Sequence, residues 1–321
     1  MRTDGKATAP LEIGLLLLLG VLWGMPYALN KIALAAFPPI TMTAVRVALA
    51  AAALWILVFA AGCRSPARHG IAVRLFVQGL VGCVIPYTLI AFGQQSVGSA
   101  LASILNATGP LFICLIGLLA SGSEAPTLRG LGGVAIGLGG VVVITGIGAF
   151  AGLGRAGLGE VSILLATLSS AVGAIHARRF VAVAPEIVAA GTLTSSALML
   201  VPLAFVFESP LHVAPSMPAV AALLANALLA TALGFVVYFR LIRTLGSVGT
   251  TSVGYLRPGV GVLIGCSFLG ERLTWPVACG LVLILLGVAT INLKPASYRP
   301  RLIAARLRHP WQRNPVAVEE A

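Results

Sequence analysis

The sequence predicts an all-α integral membrane protein of ten transmembrane helices, arranged as two inverted five-helix repeats. Three observations lead to this prediction: the composition, the length of the apolar runs and an internal repeat. Of the 321 residues, 59% are hydrophobic and only 9% are charged, whereas a soluble domain contains roughly 45–50% apolar and about 25% charged residues. The composition therefore excludes a soluble globular protein.

Nearly every residue between positions 11 and 293 belongs to an apolar run of about 20 residues, the length that crosses a hydrocarbon core. We predict ten spans, separated by short segments containing Pro, Gly, Ser or Arg: 12–33, 40–61, 74–93, 98–120, 128–150, 158–178, 186–207, 218–241, 246–269 and 274–293. The first run could be a cleaved signal peptide. Because it is long enough to span the membrane and nine more runs follow, we expect it to be retained.

The third observation is a repeat at a shift of 148 residues. This shift aligns Pro110 with Pro258, and it aligns glycines 98, 122, 132 and 139 with glycines 246, 270, 280 and 287. Each half, residues 11–150 and 158–293, holds five predicted spans, so the second half must enter the membrane from the opposite side. Inverted repeats are typical of transporters with alternating access to a midplane site. Chance coincidence among 37 glycines is the alternative.

The basic residues predict the orientation in the membrane. If the N-terminal tail, residues 1–10, is cytoplasmic, sixteen Lys and Arg lie on the cytoplasmic side and three on the other side. This distribution is the positive-inside pattern. We therefore expect a multi-pass protein of the inner (plasma) membrane with both termini cytoplasmic. Because the basic residues are scattered between apolar runs, nucleic acid is not an expected partner.

The C-terminal tail, residues 294–321, gathers a group of basic residues. Ile303, Leu307 and Trp311 follow one another at intervals of four, with Arg306 and Arg308 between them. A basic amphipathic pattern of this kind predicts binding to anionic lipids at the membrane surface. A disordered tail is the alternative.

Two segments carry a family resemblance. Trp23-Gly24, followed by Lys31-Ile32-Ala33, Pro38-Pro39 and Arg46, resembles the start of an EamA domain. The stretch from Tyr255-Leu256-Arg257-Pro258 to Leu269-Gly270-Glu271 resembles the end of the same domain. Over residues 11–293 the chain thus resembles the EamA type of the drug/metabolite transporter (DMT) superfamily. The resemblance implies ten helices in two inverted halves, a central site, and export or exchange of small metabolites, often amino acids or their derivatives.

The chain departs from that family pattern at two places. The first repeat ends with Ser121-Gly122-Ser123-Glu124 instead of Leu-Gly-Glu. Arg257 stands before the proline of the ninth predicted span, where many relatives carry an acidic or apolar residue. The second departure bears directly on the class of substrate.

Arg257 is the leading candidate for substrate binding. It lies eleven residues into the predicted span, or roughly 16 Å deep, where an arginine costs about 2.5–3.5 kcal/mol. No Asp or Glu occurs at a comparable depth in any predicted span. A carboxylate or phosphate of the substrate could supply the missing counter-ion, while Pro258 frees a backbone carbonyl beside it. The alternative is that Arg257 binds backbone carbonyls of a neighbouring broken helix.

Further candidates surround this position. The equivalent span of the first half offers Asn106, Thr108 and Pro110, either as a second wall of the cavity or as a packed kink. Aromatic side chains that could line the path, or serve only in packing and interhelical hydrogen bonds, are Trp23, Tyr27, Tyr87, Tyr238 and Tyr255. Arg46, Lys31 and Asn30 are candidates for a gate or vestibule, and for the two basic residues the alternative is an interfacial anchor.

These features predict a secondary transporter rather than an enzyme. We expect it to export a small metabolite, an amino acid or a related anionic or zwitterionic compound, by alternating access through a central midplane site. The alternative is a non-transport membrane protein, either a structural helper or an intramembrane enzyme. No catalytic residue, metal site or cofactor is expected. The stretch from Gly152 to Gly157 satisfies the dinucleotide-binding pattern GxGxxG, but it lacks the preceding strand that a dinucleotide-binding fold requires. The oligomeric state is left open.

Overall fold

The computed structural model describes residues 9–60, 62, 70–119, 128–145, 155–180, 183–251 and 253–292. Within these ranges the main elements are α-helices. They are α1 Ala9–Gly24, α2 Pro26–Ala33, α3 Pro39–Ala60, α4 Ile71–Gly79, α5 Ile85–Gly93, α6 Ser99–Asn106, α7 Gly109–Leu119, α8 Leu128–Thr145, α9 Arg155–Ala177, α10 Pro185–Phe207, α11 Met217–Ala225, α12 Gly234–Thr251, α13 Val253–Phe268 and α14 Trp275–Asn292.

Several of these elements join into apolar helices that are long enough to cross a membrane. Seven runs meet that criterion by length and composition: Pro10–Ala33, Pro39–Ala60, Ile71–Gly93, Ser99–Gly117, Gly157–Phe180, Pro185–Phe207 and Met217–Leu245. Three shorter apolar helices, Gly130–Ile144, Val253–Phe268 and Trp275–Ile291, lie within the fifth, ninth and tenth predicted spans. The prediction of an all-α fold with multiple apolar helices is confirmed for the described residues. The lipid-binding pattern of the C-terminal tail and the departure at 121–124 lie outside them.

One predicted boundary is wrong. We expected the eighth span to end at 241 and the ninth to begin at Gly246, but α12 continues to Thr251 and α13 begins only at Val253. A glycine inside a helix costs only about 1 kcal/mol relative to alanine, so Gly246 does not end the helix. Arg257 therefore lies one turn from the start of its helix, and a depth counted from Gly246 is too large.

Four helical runs are interrupted near their middle. The first breaks at Met25, before Pro26, and the fourth breaks at Ala107 and Thr108, before Gly109 and Pro110. The third and eighth runs contain π-helical segments, Leu80–Val84 and Asn226–Leu233. These two segments overlap when the halves are aligned at the 148-residue shift, so the same irregularity occurs in the third helix of each half. π-helical turns often occur at functional sites.

Glycines position α13 between α1 and α6. A Cβ on Gly20 would lie 2.9 Å from Leu256, and one on Gly24 would lie 2.6 Å from Val260 and 3.1 Å from the carbonyl oxygen of Arg257. These small residues let the backbones of α1 and α13 approach closely. The packing fixes Arg257 beside the middle of the first helical run.

Candidate functional site

A central cavity of about 240 Å³ lies between the interrupted helices. Residues of α1 and α2, α3, the two π-helical runs, α6, α9 and α13 line it: Trp23, Pro26, Tyr27, Asn30, Arg46, Gly82, Tyr87, Ile90, Asn106, Ser170, Ala230, Thr231, Phe235 and Arg257. The two π-helical segments thus lie on the cavity wall, where Gly82 comes from one and Thr231 from the other. The repeated irregularity of the fold is therefore located at the cavity.

Arg257 extends from α13 into this cavity. Its Nη2 donates hydrogen bonds to the hydroxyl of Tyr27 at 3.3 Å and to Oδ1 of Asn106 at 3.4 Å. Its guanidinium carbon lies 5.7 Å from the centroid of the Trp23 ring, a cation–π contact. Its Nε is buried and has no hydrogen-bond partner among the described residues. These partners are weak or neutral, so the positive charge is left without a counter-ion from the described lining.

Arg46 reaches the same cavity from α3. The residue is 8% exposed, its Nε donates a hydrogen bond to the hydroxyl of Thr231 at 3.0 Å, and its guanidinium lies 4.5 Å from the centroid of the Tyr87 ring. The Thr231 hydroxyl in turn donates to the carbonyl oxygen of Asn226, five residues earlier in the π-helical segment. Arg46 points into the bundle, and this position does not fit the alternative of an interfacial anchor.

A second cavity of about 260 Å³ adjoins the first. Tyr27, Asn106, Ser170 and Arg257 line both, and the second cavity is otherwise formed by Ser103, Ala107, Gly109, Pro110, Ile113, Thr167, Ala171, Ala174, Gly254 and Pro258. Arg257 consequently stands at the junction of the two cavities, whereas Arg46 lines only the central one. No Asp or Glu occurs among the described residues that line either cavity.

Buried amides fix one wall of the central cavity. Gln94, which has no exposed surface, donates to the carbonyl oxygen of Tyr27 at 2.7 Å and accepts from Nδ2 of Asn30 at 3.0 Å. Asn226 donates to Oδ1 of Asn30 at 2.6 Å. This chain of hydrogen bonds joins α2, the end of α5 and the π-helical segment of the eighth run. Such a polar network holds the cavity wall in a single arrangement.

The structure brings together most of the predicted site residues. Arg257, Pro258, Asn106, Pro110, Trp23, Tyr27, Tyr87, Arg46 and Asn30 line one or both cavities. Four candidates line neither cavity. Thr108, in the break between α6 and α7, donates to the carbonyl oxygen of Leu105, and Tyr255 donates to that of Val288. Tyr238 packs on Trp23, and Lys31 donates to the carbonyl oxygens of Gln94 and Val97. Lys31 therefore caps the end of the third helical run.

Sequence reasoning missed several lining residues. Thr231, Ser170 and Phe235 are ordinary residues for a membrane helix, and no spacing marked them. Thr231 faces the cavity because the π-helical segment adds a residue to the turn, which an ideal helical period does not predict. The internal repeat does not identify Thr231 as a lining residue either, because the equivalent position at the 148-residue shift holds Cys83. The missing signal was the irregular backbone itself.

Comparisons with known proteins agree with this architecture. The model of the EamA-like transporter family matches the chain twice, over residues 10–146 and 157–293. The chain belongs to the EamA-like transporter family. Its two matched segments correspond to the two halves inferred from the repeat.

Relatives of this EamA-like chain are named as transporters. It is 26% identical to the uncharacterized inner membrane transporter YedA of Escherichia coli strain K12, over 87% of this chain and 90% of that protein. It is 25% identical to the uncharacterized transporter YvbV of Bacillus subtilis strain 168, over 90% of this chain and 94% of that protein. A solved crystal structure matches with a TM-score of 0.62 at 21% identity, over 87% of this chain and 97% of the other. The chain is thus a membrane transporter by family, and the crystal structure shows a shared fold.

Proposed function

We propose that the protein is a secondary transporter that exports a small anionic or zwitterionic metabolite through the central cavity by alternating access. The observation that carries this proposal is the Arg257 guanidinium at the junction of the two cavities, with a buried Nε that has no partner and no carboxylate among the described lining residues. A charge that lies inside the helical bundle without a counter-ion from the described lining favours a ligand that brings the opposite charge. The transporter family argues against the alternative of a structural helper or intramembrane enzyme.

The architecture that we propose for transport is ten helices in two inverted halves of five, residues 11–150 and 158–293. Supporting observations are the two family matches and the equivalent π-helical segments. An odd number of helices in each half inverts the second half, and rocking of one half against the other exposes the site to each side in turn.

Flux measured in proteoliposomes that contain only this protein tests the proposal. Arg257→Leu should lower anion flux about tenfold or more, because a hydrogen bond to a charged group contributes about 1.5–3 kcal/mol. Its thermal stability should be unchanged or higher, because the change removes a charge that has no counter-ion among the described lining residues. Arg257→Lys should restore only part of the flux, since an ammonium group lacks the bidentate fork. The matched control Arg272→Leu, at an exposed arginine of the same half, should transport normally.

Two results would contradict this assignment. Normal transport by Arg257→Leu would make the arginine a packing element. Loss of fold and flux together would make it a structural one, and the inference of an anionic substrate would fail in either case. Absence of flux for every metabolite exported by cells that overproduce the protein would contradict the transport function itself.

We also propose that the protein lies in the plasma membrane with both termini in the cytoplasm, on the basis of the basic-residue distribution. In a cysteine-free background, Ser65→Cys and Ser297→Cys should react only with a reagent that reaches the cytoplasm. Ser209→Cys, between α10 and the next helix, should react from outside. The reverse pattern would overturn the orientation.

The C-terminal tail is proposed to bind anionic lipid, because its basic residues can each contribute about 1 kcal/mol near a charged surface. Vesicles that contain anionic lipid should protect the tail from protease more strongly than neutral vesicles do. Equal cleavage in both would favour a tail without a lipid partner.

A further inference from the structure

Two arginines from different halves of the chain face one small cavity. Arg46 belongs to α3 in the first half and Arg257 to α13 in the second, and both line the central cavity. Each guanidinium is held beside an aromatic ring, that of Arg46 at 4.5 Å from Tyr87 and that of Arg257 at 5.7 Å from Trp23. A cation–π contact is an attraction to the face of a neutral ring, so it does not supply either guanidinium with an anionic partner.

Most of the N–H groups of the two side chains make no hydrogen bond with the described residues. A guanidinium carries five N–H donors. For Arg46, only the bond from Nε to Thr231 is formed with the described residues. For Arg257, Nη2 makes two long bonds, to Tyr27 and Asn106, and the buried Nε makes none with the described residues. The cavity therefore presents two sets of donors in the arrangement that binds carboxylate or phosphate oxygens.

The charge of the cavity is also unbalanced. Two positive side chains face it, and the described lining residues include no Asp or Glu. The two ion pairs among the described residues involve Arg240 and Arg243, which lie elsewhere. Burial of a charge without a partner is costly. A ligand with a single negative charge would neutralise only one of the two arginines.

We infer that the substrates are small dianions, either dicarboxylates or phosphate monoesters, with negative charge facing both Arg46 and Arg257. This inference rests on the proposed function and narrows its substrate class. The cavity of about 240 Å³ lies below the roughly 300–1,000 Å³ of sites for drug-sized ligands, so the dianion is a compact one. Arg46 is the residue that distinguishes a dianion from a monoanion.

The two arginines contribute to different steps. Arg257 lines both cavities, so it can contact the substrate in the central cavity and in the adjoining one. Arg46 lines the central cavity alone, so it can contact the substrate only when the substrate is centrally bound. Loss of Arg257 should therefore abolish transport of every anion, whereas loss of Arg46 should change which anions are preferred.

The test measures competition and uptake in proteoliposomes of the full-length protein. The probes are succinate, its monoanionic amide succinamate, glycerol 3-phosphate and the zwitterion alanine. For the wild type we expect succinate, glycerol 3-phosphate or both to compete about tenfold better than succinamate or alanine, since a charge-assisted bond is lost with the amide. The comparison of succinate with glycerol 3-phosphate separates the two sources of the dianion.

Substitutions of Arg46 test whether this residue causes the preference for dianions. Arg46→Gln should weaken competition by the preferred dianion about tenfold and leave that of succinamate nearly unchanged, and Arg46→Lys should keep part of the preference. Arg240→Gln makes the same change of side chain at an arginine that lines neither cavity, so it is the matched control and should keep the preference for dianions. Arg257→Gln should lose uptake of all the anions.

The dianion inference is overturned if the wild type treats succinamate or alanine as well as both dianions. It is also overturned if Arg46→Gln weakens dianion and monoanion alike, because Arg46 then only supports the fold. If either result is found and anion uptake still needs Arg257, the proposed function stays intact. Failure of the proposed function has a different signature, in which no anion is taken up and Arg257→Gln behaves as the wild type does.

Discussion

The two ends of the helical bundle are held together in different ways. At one end, which we term the clamped end, the carboxylates of Glu208 and Glu271 accept hydrogen bonds from backbone N–H groups where α3 and α6 begin. Glu208 binds the N–H groups of Ile40 and Thr41 at 2.9 and 2.6 Å. Glu271 binds those of Ser99 and Ala100 at 2.6 and 2.7 Å. Both contacts join the second half of the chain to a helix of the first.

At the opposite end, which we term the paired end, the carboxylates face arginine side chains instead. Glu12 lies 3.6 Å from Arg240, and Glu186 pairs with Arg243. The arginine side chains are 54% and 62% exposed. The carboxylate side chains are less exposed, at 6% for Glu12 and 22% for Glu186. Because water screens the arginine of each pair and a long side chain must be ordered, we expect each pair to contribute only about 0–1 kcal/mol.

This difference indicates at which end of the bundle the helices separate more easily. A carboxylate at a helix N-terminus satisfies donors that have no partner within the helix and interacts favourably with the helix dipole. We therefore expect the two halves to separate less easily at the clamped end. The second cavity extends toward the paired end, where Ala174 and Gly254 lie near the ends of their helices. We accordingly expect access to Arg257 from the paired end in this conformation.

The largest effect is expected at Glu271. Glu271→Ala leaves two backbone N–H groups at the start of α6 without their partner, and the free energy of unfolding should fall by about 2–4 kcal/mol. Glu271→Gln keeps one acceptor oxygen and should lose about half of that. Denaturant unfolding in detergent micelles measures both. A loss below about 1 kcal/mol for the alanine variant would show that the clamped end does not depend on this carboxylate.

A second substitution disturbs the same contact without removing it. A Cβ on Gly265 would lie 2.8 Å from Oε2 of Glu271 and 2.8 Å from Oγ of Ser99. Gly265→Ala should therefore destabilise the protein by about 1–3 kcal/mol through overpacking. Gly259→Ala on the same helix is the matched control, since no described atom lies within 4 Å of its Cβ position. Equal melting temperatures for the two variants would contradict the proposed crowding around Glu271.

A smaller effect is expected at Lys31. Its amine donates to the carbonyl oxygens of Gln94 and Val97 at 2.8 and 3.3 Å, in the turn between α5 and α6. Lys31→Met keeps the aliphatic length but removes both bonds, so it should cost about 1 kcal/mol of stability. Anion flux should stay near the wild-type value, because Lys31 lines neither cavity. A loss of flux without a loss of stability would instead support a gate.

The sequence predicts the clamped end only in part. Pro39, Gly98 and Gly270 mark the boundaries of helices, and these boundaries are close to those observed. The roles of Glu208 and Glu271 are not readable, because each contacts a segment more than 160 residues away along the chain. A positive φ of 65° at Gly270 turns the chain directly before Glu271, but spacing alone does not say which helix the carboxylate meets.

In the site, too, some features can be predicted from the local sequence, whereas others depend on contacts between distant parts of the chain. Arg257 and Arg46 are identifiable because a charge inside an apolar run is costly and therefore conspicuous. Their meeting in one cavity depends on the packing of α1, α3 and α13, and on a π-helical segment that places Thr231 against Arg46. The charge of Lys31 is equally conspicuous in the sequence, but nearby carbonyl groups accept its hydrogen bonds, and only the fold shows this.

The smallest effect is expected at the paired end. Arg243→Gln removes the charge that faces Glu186, whose position in the first turn of α10 already gives it the favourable potential of a helix N-terminus. Because the Arg243 side chain is 62% exposed, the free energy of unfolding should change by less than about 1 kcal/mol. The same measurement on Glu271→Ala supplies the contrast between the ends. If Arg243→Gln destabilised the protein as much as Glu271→Ala, the two ends would be equally firm, and the expected access from the paired end would lose its physical basis.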